Sequence, residues 1–143
     1  MTEQQRENET IGLSVQAAWD LLKSDPRAVL IDIRSGMEFL FVGHPVGALH
    51  IPWIDEPDWE QNPNFVTEVR KALLGGCDGD AAVPIVLICR SGKRSLLAGQ
   101  ELIKHRVGRV YHIEEGFEGD RDEAYQRSTL GGWRFHGLPW EQC

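Results

Sequence analysis

Pro84-Ile85-Val86-Leu87-Ile88 runs directly into Cys89-Arg90-Ser91-Gly92-Lys93-Arg94-Ser95. The apolar run reads as a strand buried on both faces, as in a parallel sheet covered by helices. A basic, glycine-containing turn ends it, and a helical stretch from Ser95 to His105 follows. Cys89 is thereby delivered to the carboxyl end of a strand, facing the start of a helix. That end of a helix offers unpaired N–H groups and a partial positive charge. Gly92 permits a backbone conformation that side chains would obstruct. A turn whose successive N–H groups point inward cradles an anion.

The flanking sequence supplies the matching elements. Ser14 precedes Val15, Trp19 and Leu22 at helical spacing, and Asp25-Pro26 ends that helix. Ala28 to Ile33 reads as a strand, Ser35 to Phe41 as a short helix closed by Gly43, and Ala48 to Ile51 as a strand stopped by Pro52. Trp53 to Pro63 reads as loop. Phe65, Val69 and Leu73 place a helix over Asn64–Leu74, capped by Gly75-Gly76, and a turn-rich connection follows to Ala82. Arg109 to Ile113 is one more strand. Alternating strands and helices imply an α/β domain with a mainly parallel sheet and right-handed crossovers. Ligands of such sheets bind beyond the carboxyl ends of the strands.

Composition narrows the function. The chain has 143 residues, 41% apolar and 26% charged, which suits one globular domain. Its net charge of −7 is opposite in sign to that of most nucleic-acid binders. No apolar run is long enough to span a membrane. Met1 to Thr10 lacks the basic start and apolar stretch of a signal peptide and reads as a flexible tail, leaving 11–143 as the domain. Cys77, Cys89 and Cys143 cannot all pair within one chain, and their spacing fits no zinc pattern. A cytoplasmic protein with free thiols and no zinc site is therefore expected.

Charge also singles out the Cys89 turn. The chain carries 22 acids, yet Pro84 to Gln100 contains none and holds Arg90, Lys93 and Arg94. A positive site inside a negative protein attracts a small anion. An unperturbed thiol, with a pKa of about 8.5, is roughly 3% ionised at neutral pH. Lowering that value by about two units takes about 2.7 kcal/mol and leaves roughly three-quarters as thiolate. A lone cysteine ending an apolar strand is usually just a small core residue. The glycine, the three cations and the helix start together favour a nucleophile.

Cys89 to Arg94 resembles the active-site loop Cys-x-x-Gly-x-Arg of the rhodanese family of sulfurtransferases. Leu30 to Arg34 with Glu38-Phe39 is similar to the family's strand-end Asp-x-Arg followed by Glu-Phe. Gly43-His44-Pro45-Val46-Gly47-Ala48-Leu49-His50-Ile51-Pro52 resembles its Gly-His-Ile-x-Gly-Ala-x-x-Ile-Pro. Glu115 to Gly119 and Gly132-Trp133 through Gly137-Leu138-Pro139-Trp140 resemble the tail of bacterial single-domain members. The likeness runs from about Ile11 to the end. Pro45 and Glu115 depart from the usual residues, an apolar side chain and a glycine. The resemblance implies a three-layer rhodanese-like domain, with a mainly parallel five-stranded central sheet flanked by helices. It also implies sulfur transfer through a Cys89 persulfide, with no metal and no organic cofactor required. Thiosulfate or a related small anionic donor would supply the sulfur. Cyanide, a small thiol or a partner protein's cysteine would accept it. Arg90, Ser91, Gly92, Lys93, Arg94 and Ser95 would form the donor site and persulfide cradle, supported by Asp32, Arg34 and Glu38.

Two alternatives stay open. Phosphatases and arsenate reductases of related fold use a longer Cys-x5-Arg loop, whereas the spacing here is Cys-x4-Arg. A non-catalytic binding module of the same fold would commonly lack the cysteine. Asp32 and Arg34 read more simply as a fold-stabilising pair than as pocket residues, and Glu38 as an arginine or backbone partner. His44 reads as a loop anchor, and His105, His112 and His136 as surface or satisfied core positions. Trp53 and Phe117, each after a strand, are candidates to border the site. The six acids of Glu114–Glu123 read as a solvated face rather than a docking surface.

Overall fold

The computed structural model describes residues 10–77 and 83–143. Five strands form one parallel sheet: β1 (Ile11–Leu13), β2 (Val29–Asp32), β4 (Leu49–His50), β5 (Pro84–Ile88) and β6 (Arg109–Ile113), in the order β1-β6-β5-β2-β4. Here β3 denotes His44–Pro45, which pairs antiparallel with the C-terminal β7 (Trp140–Glu141). The central strand β5 pairs with β2 from Val29–Ile85 to Asp32–Ile88, and with β6 from Pro84–Arg109 to Leu87–His112. All five residues of β5 are buried, as its unbroken apolar run requires.

The two-residue alternation of the strands divides the core. On one face Ile31, Ile33, Ile85, Leu87, Cys89 and Val110 pack against α2 (Phe65–Cys77) and α3 (Lys93–Lys104), through Phe65, Val69, Leu73, Ala98 and Leu102. On the other, Leu30, Val86, Ile88 and Ile113 meet Val15 and Ala18 of α1 (Val15–Ser24), together with Phe117 and Trp133. Cys89 therefore ends its strand on the α3 side. Ser14 caps α1, its hydroxyl accepting from the Ala17 amide at 3.1 Å. The chain between Ser35 and Gly43 is a short helical segment that widens into a π-type turn, Glu38–Val42, closed by Gly43 N–H donating to Glu38 O.

Several boundaries differ from the sequence reading. The α2 helix continues through Gly75-Gly76 to Cys77, so Cys77 is its last residue rather than part of a loop. The α3 helix begins at Lys93, two residues before the expected Ser95. The β1 strand is a three-residue edge with a glycine at its centre, too short to show an alternation. Residues 1–9 of the expected tail and residues 78–82 of the expected connection lie outside the described residues. Among the described residues no helix is long and apolar enough to cross a membrane.

Candidate active site

The loop after β5 wraps around the sulfur that the strand delivers. Cys89 Sγ accepts from the Gly92 amide at 3.1 Å and the Ser95 amide at 3.3 Å, and lies 3.4 Å from Ser95 Oγ. The residue is 1% exposed, so the sulfur forms the floor of the loop. Within the described residues the amides of Ser91, Lys93 and Arg94 have no protein acceptor. They are the donors a helix start leaves over. Arg90 and Lys93 are exposed at the rim.

Gly92 makes this geometry possible. Its φ of +103° lies in the left-handed region, and a Cβ there would sit 2.1 Å from the Glu114 carbonyl oxygen. The turn after β6 is thus the back wall of the loop. Phe117 N–H donates to Cys89 O at 2.8 Å and Glu118 N–H to Arg90 O at 3.0 Å. Gly116 completes the wall, since a Cβ on it would meet Arg90 C and O at 2.5 Å. The sequence marked this segment through the Glu115–Gly119 stretch and Phe117, but the β5–β6 pairing that sets it behind the loop is a long-range contact.

The charged residues sort into two pairs. Arg94 donates to both carboxylate oxygens of Glu38, each at 2.9 Å. Burial alone would raise the Glu38 pKa, but the Arg94 hydrogen bonds and charge outweigh it and bring it to about 2. Burial likewise opposes the Arg94 charge, yet the Glu38 bonds, with smaller attractions from Cys89 and Asp32, leave its pKa raised. Glu38 is thus an arginine partner that ties the helix start to the π-type turn.

Asp32 and Arg34 form the other pair, wholly buried. Arg34 Nη2 donates to Asp32 Oδ2 at 2.6 Å, and its guanidinium lies 4.5 Å from the centre of the Phe117 ring. Arg34 is 0% exposed, so it does not line a pocket, and Asp32 holds Arg34 rather than Arg90 or Arg94. Trp53 and Phe117 are buried, and Phe117 meets the loop through its backbone N–H on Cys89 O. His44 anchors a loop, with Nδ1 2.8 Å from Phe39 O and its ring stacked on Phe39.

His112, which the sequence reads as a surface or satisfied core position, is buried beside the loop. It shares the α3-facing side of β6 with Val110, and its Nδ1 lies 2.9 Å from Ser95 Oγ. Of the six acids after β6, Glu114, Asp120 and Glu123 are exposed, as a solvated face requires, and Glu115, Glu118 and Asp122 have partners within the fold. Glu115 meets His136 at 2.9 Å, and Asp122 accepts from the Ala124 and Gln126 amides and from Thr129 Oγ1.

The sequence matches the family model described as Rhodanese-like domain over residues 14–123. The chain belongs to the rhodanese-like family. The crystal structure of Rv0390 from M. tuberculosis superposes with a TM-score of 0.81 at 32% identity, covering 94% of this chain and 99% of that one. An uncharacterized protein of Rickettsia conorii, RC0915, is 28% identical over 130 residues, 87% of this chain and 91% of its own. The thiosulfate sulfurtransferase GlpE of Actinobacillus pleuropneumoniae serotype 3 is 27% identical over 135 residues, 90% and 91% of the two chains. The family's five-stranded parallel sheet with flanking helices is the architecture of this chain.

Proposed function

We propose that this rhodanese-like protein is a sulfurtransferase. It moves a sulfane sulfur from thiosulfate or a related small anion to a thiophilic acceptor, through a persulfide on Cys89. The observation that carries the reading is the pair of amides, Gly92 and Ser95, donating to a sulfur at the floor of a six-residue loop. Donors fixed in this way stabilise negative charge without reorganising during the reaction.

In the first step the Cys89 thiolate attacks the outer sulfur of thiosulfate. A Cys89 S–S bond forms, the donor's S–S bond breaks, and sulfite leaves with that bond's electron pair. The terminal persulfide sulfur carries the negative charge and faces the amides of Ser91, Lys93 and Arg94. Arg90 and Lys93 at the rim attract the incoming dianion. In the second step cyanide, a small thiol or a partner's cysteine takes the terminal sulfur and Cys89 returns to thiolate. Covalent catalysis of this kind gives ping-pong kinetics.

The phosphoryl-transfer alternative is weaker here, because it asks for an arginine facing the bound anion. The guanidinium of Arg94 is held by two bonds to Glu38, and the loop is one residue short of the Cys-x5-Arg spacing.

Intact-protein mass spectrometry after thiosulfate treatment tests the reading. The expected result is a gain of one sulfur atom on Cys89, removed by cyanide as thiocyanate. No gain in the wild-type protein, or a gain that persists in Cys89→Ser, overturns it.

A further inference from the structure

A chain of three side chains leads from the nucleophile into the sheet. Cys89 Sγ lies 3.4 Å from Ser95 Oγ, and Ser95 Oγ lies 2.9 Å from His112 Nδ1. All three residues are buried. Each comes from a different element: Cys89 from the end of β5, Ser95 from the first turn of α3, and His112 from β6. Nothing in the amide cradle requires an imidazole behind it. An aliphatic side chain on that face of β6 would fill the core equally well, as Val110 does two residues earlier.

We propose that His112 is a positioning residue that accepts the Cys89 proton through the Ser95 hydroxyl. The step balances without any co-reactant. The Cys89 S–H bond breaks and its proton passes to Ser95 Oγ. The proton already on Ser95 passes to His112 Nδ1. The products are a thiolate and an imidazolium, with serine unchanged and no oxidation or reduction. The Ser95 proton has two acceptors in reach, since Gly92 O lies 3.1 Å away, and the transfer uses the imidazole. Once ionised, Sγ keeps three donors, the amides of Gly92 and Ser95 and the returned Ser95 hydroxyl.

Two influences on His112 oppose one another. Burial lowers its pKa and disfavours the imidazolium, while the nearby charge of Glu114 favours it. Ser95 of α3 contacts the ring, Gly12 of β1 and Leu87 of β5 are the register partners of His112 in the sheet, and Glu114 lies beyond the end of its own strand. The inference builds on the sulfur-transfer reading for the use made of the thiolate, but the proton path itself is independent of any sulfur donor.

The test is the rate at which iodoacetamide alkylates Cys89, followed by mass spectrometry of its peptide. It is run across the pH range in which thiols and imidazoles titrate, in the wild-type protein, His112→Asn, Ser95→Ala and the double variant. Asparagine keeps a hydrogen-bond acceptor for Ser95 but takes no proton. At neutral pH, His112→Asn should be alkylated about tenfold more slowly, its profile displaced towards that of an ordinary thiol. Ser95→Ala should show a similar loss, and the double variant should be no slower than the slower single one, because both cut the same path. A wild-type profile in His112→Asn, or losses that multiply in the double variant, overturns the proposal. Should His112→Asn fail to fold, His112→Gln takes its place, and a wild-type profile there is equally fatal; Ser95→Ala alone does not decide, because it also removes a hydroxyl donor to Sγ. Because no sulfur donor is used, failure to form a persulfide is a separate result that removes the sulfur-transfer reading and leaves the proton path standing.

Discussion

At the residue scale, the bond between Glu38 and Arg94 joins two segments 56 positions apart in sequence. It fixes the first turn of the helix on which the loop depends. With a pKa of about 2 against an ordinary 4.5, Glu38 is depressed by folding. Its contribution to stability is therefore complete above the unfolded value of 4.5 and is lost as pH falls towards the folded value of about 2. Glu38→Gln removes that titration. It should lower stability at neutral pH by about 1–3 kcal/mol, by weakening a charged hydrogen-bond pair. It should also flatten the loss of stability between those two pH values. Urea unfolding at a series of pH values measures both, and an acid slope identical to that of the wild-type protein would refute the assignment. The sequence reading of Glu38 as an arginine or backbone partner in a short helix agrees with this bond. That the partner is Arg94 was not legible, since a string of residues does not say where a guanidinium points.

At the scale of elements, the cradle consists of a strand end, a helix start and a turn from a third segment. The first two are contiguous and were readable as Pro84–Ile88 and the basic turn. The third was not. Glu114 to Gly116 becomes the back wall only because β6 pairs with β5, and register between distant strands is set by packing rather than by local pattern. His112 escaped for the same reason: alternation assigns it a face of β6, but only the register sets it beside Ser95. The short edge strand β1 and the β3–β7 pair, with two or three residues each, fell below the length at which alternation can be recognised. Gly92 is where the local and distant parts meet. Gly92→Ala must hold a β-carbon at a φ of +103° and 2.1 Å from the Glu114 carbonyl oxygen, a backbone atom that cannot swing aside. It should cost at least about 2 kcal/mol. Persulfide formation should fall much further than stability, because opening the loop moves the Gly92 amide off Sγ. Thermal unfolding and the thiosulfate mass shift measure the two effects. A variant that unfolds earlier yet gains sulfur at the wild-type rate would mean that the loop geometry is not what activates Cys89.

At the scale of the whole molecule, a net charge of −7 surrounds a site proposed to take a dianion. The long-range field repels the donor, and the exposed Arg90 and Lys93 attract it only near the rim. Near the loop, Glu115 faces His136 and Glu118 lies 3.9 Å from Arg134, while Glu114 is exposed. Salt separates the two fields, since charges more than about 8 Å apart are largely screened at physiological ionic strength. If the rim cations dominate encounter, raising ionic strength should lower kcat/KM for thiosulfate. Replacing both with alanine should raise KM and reverse the sign of the salt effect, because only the repulsive remainder is left to screen. The rate of the cyanide step after preloading with sulfur should change less, since its acceptor approaches a terminal sulfur already bonded to Cys89. A wild-type kcat/KM that rises with salt would place the attraction elsewhere. Arg90 and Lys93 would then be ordinary solvated charges, and the amides alone would have to account for donor capture.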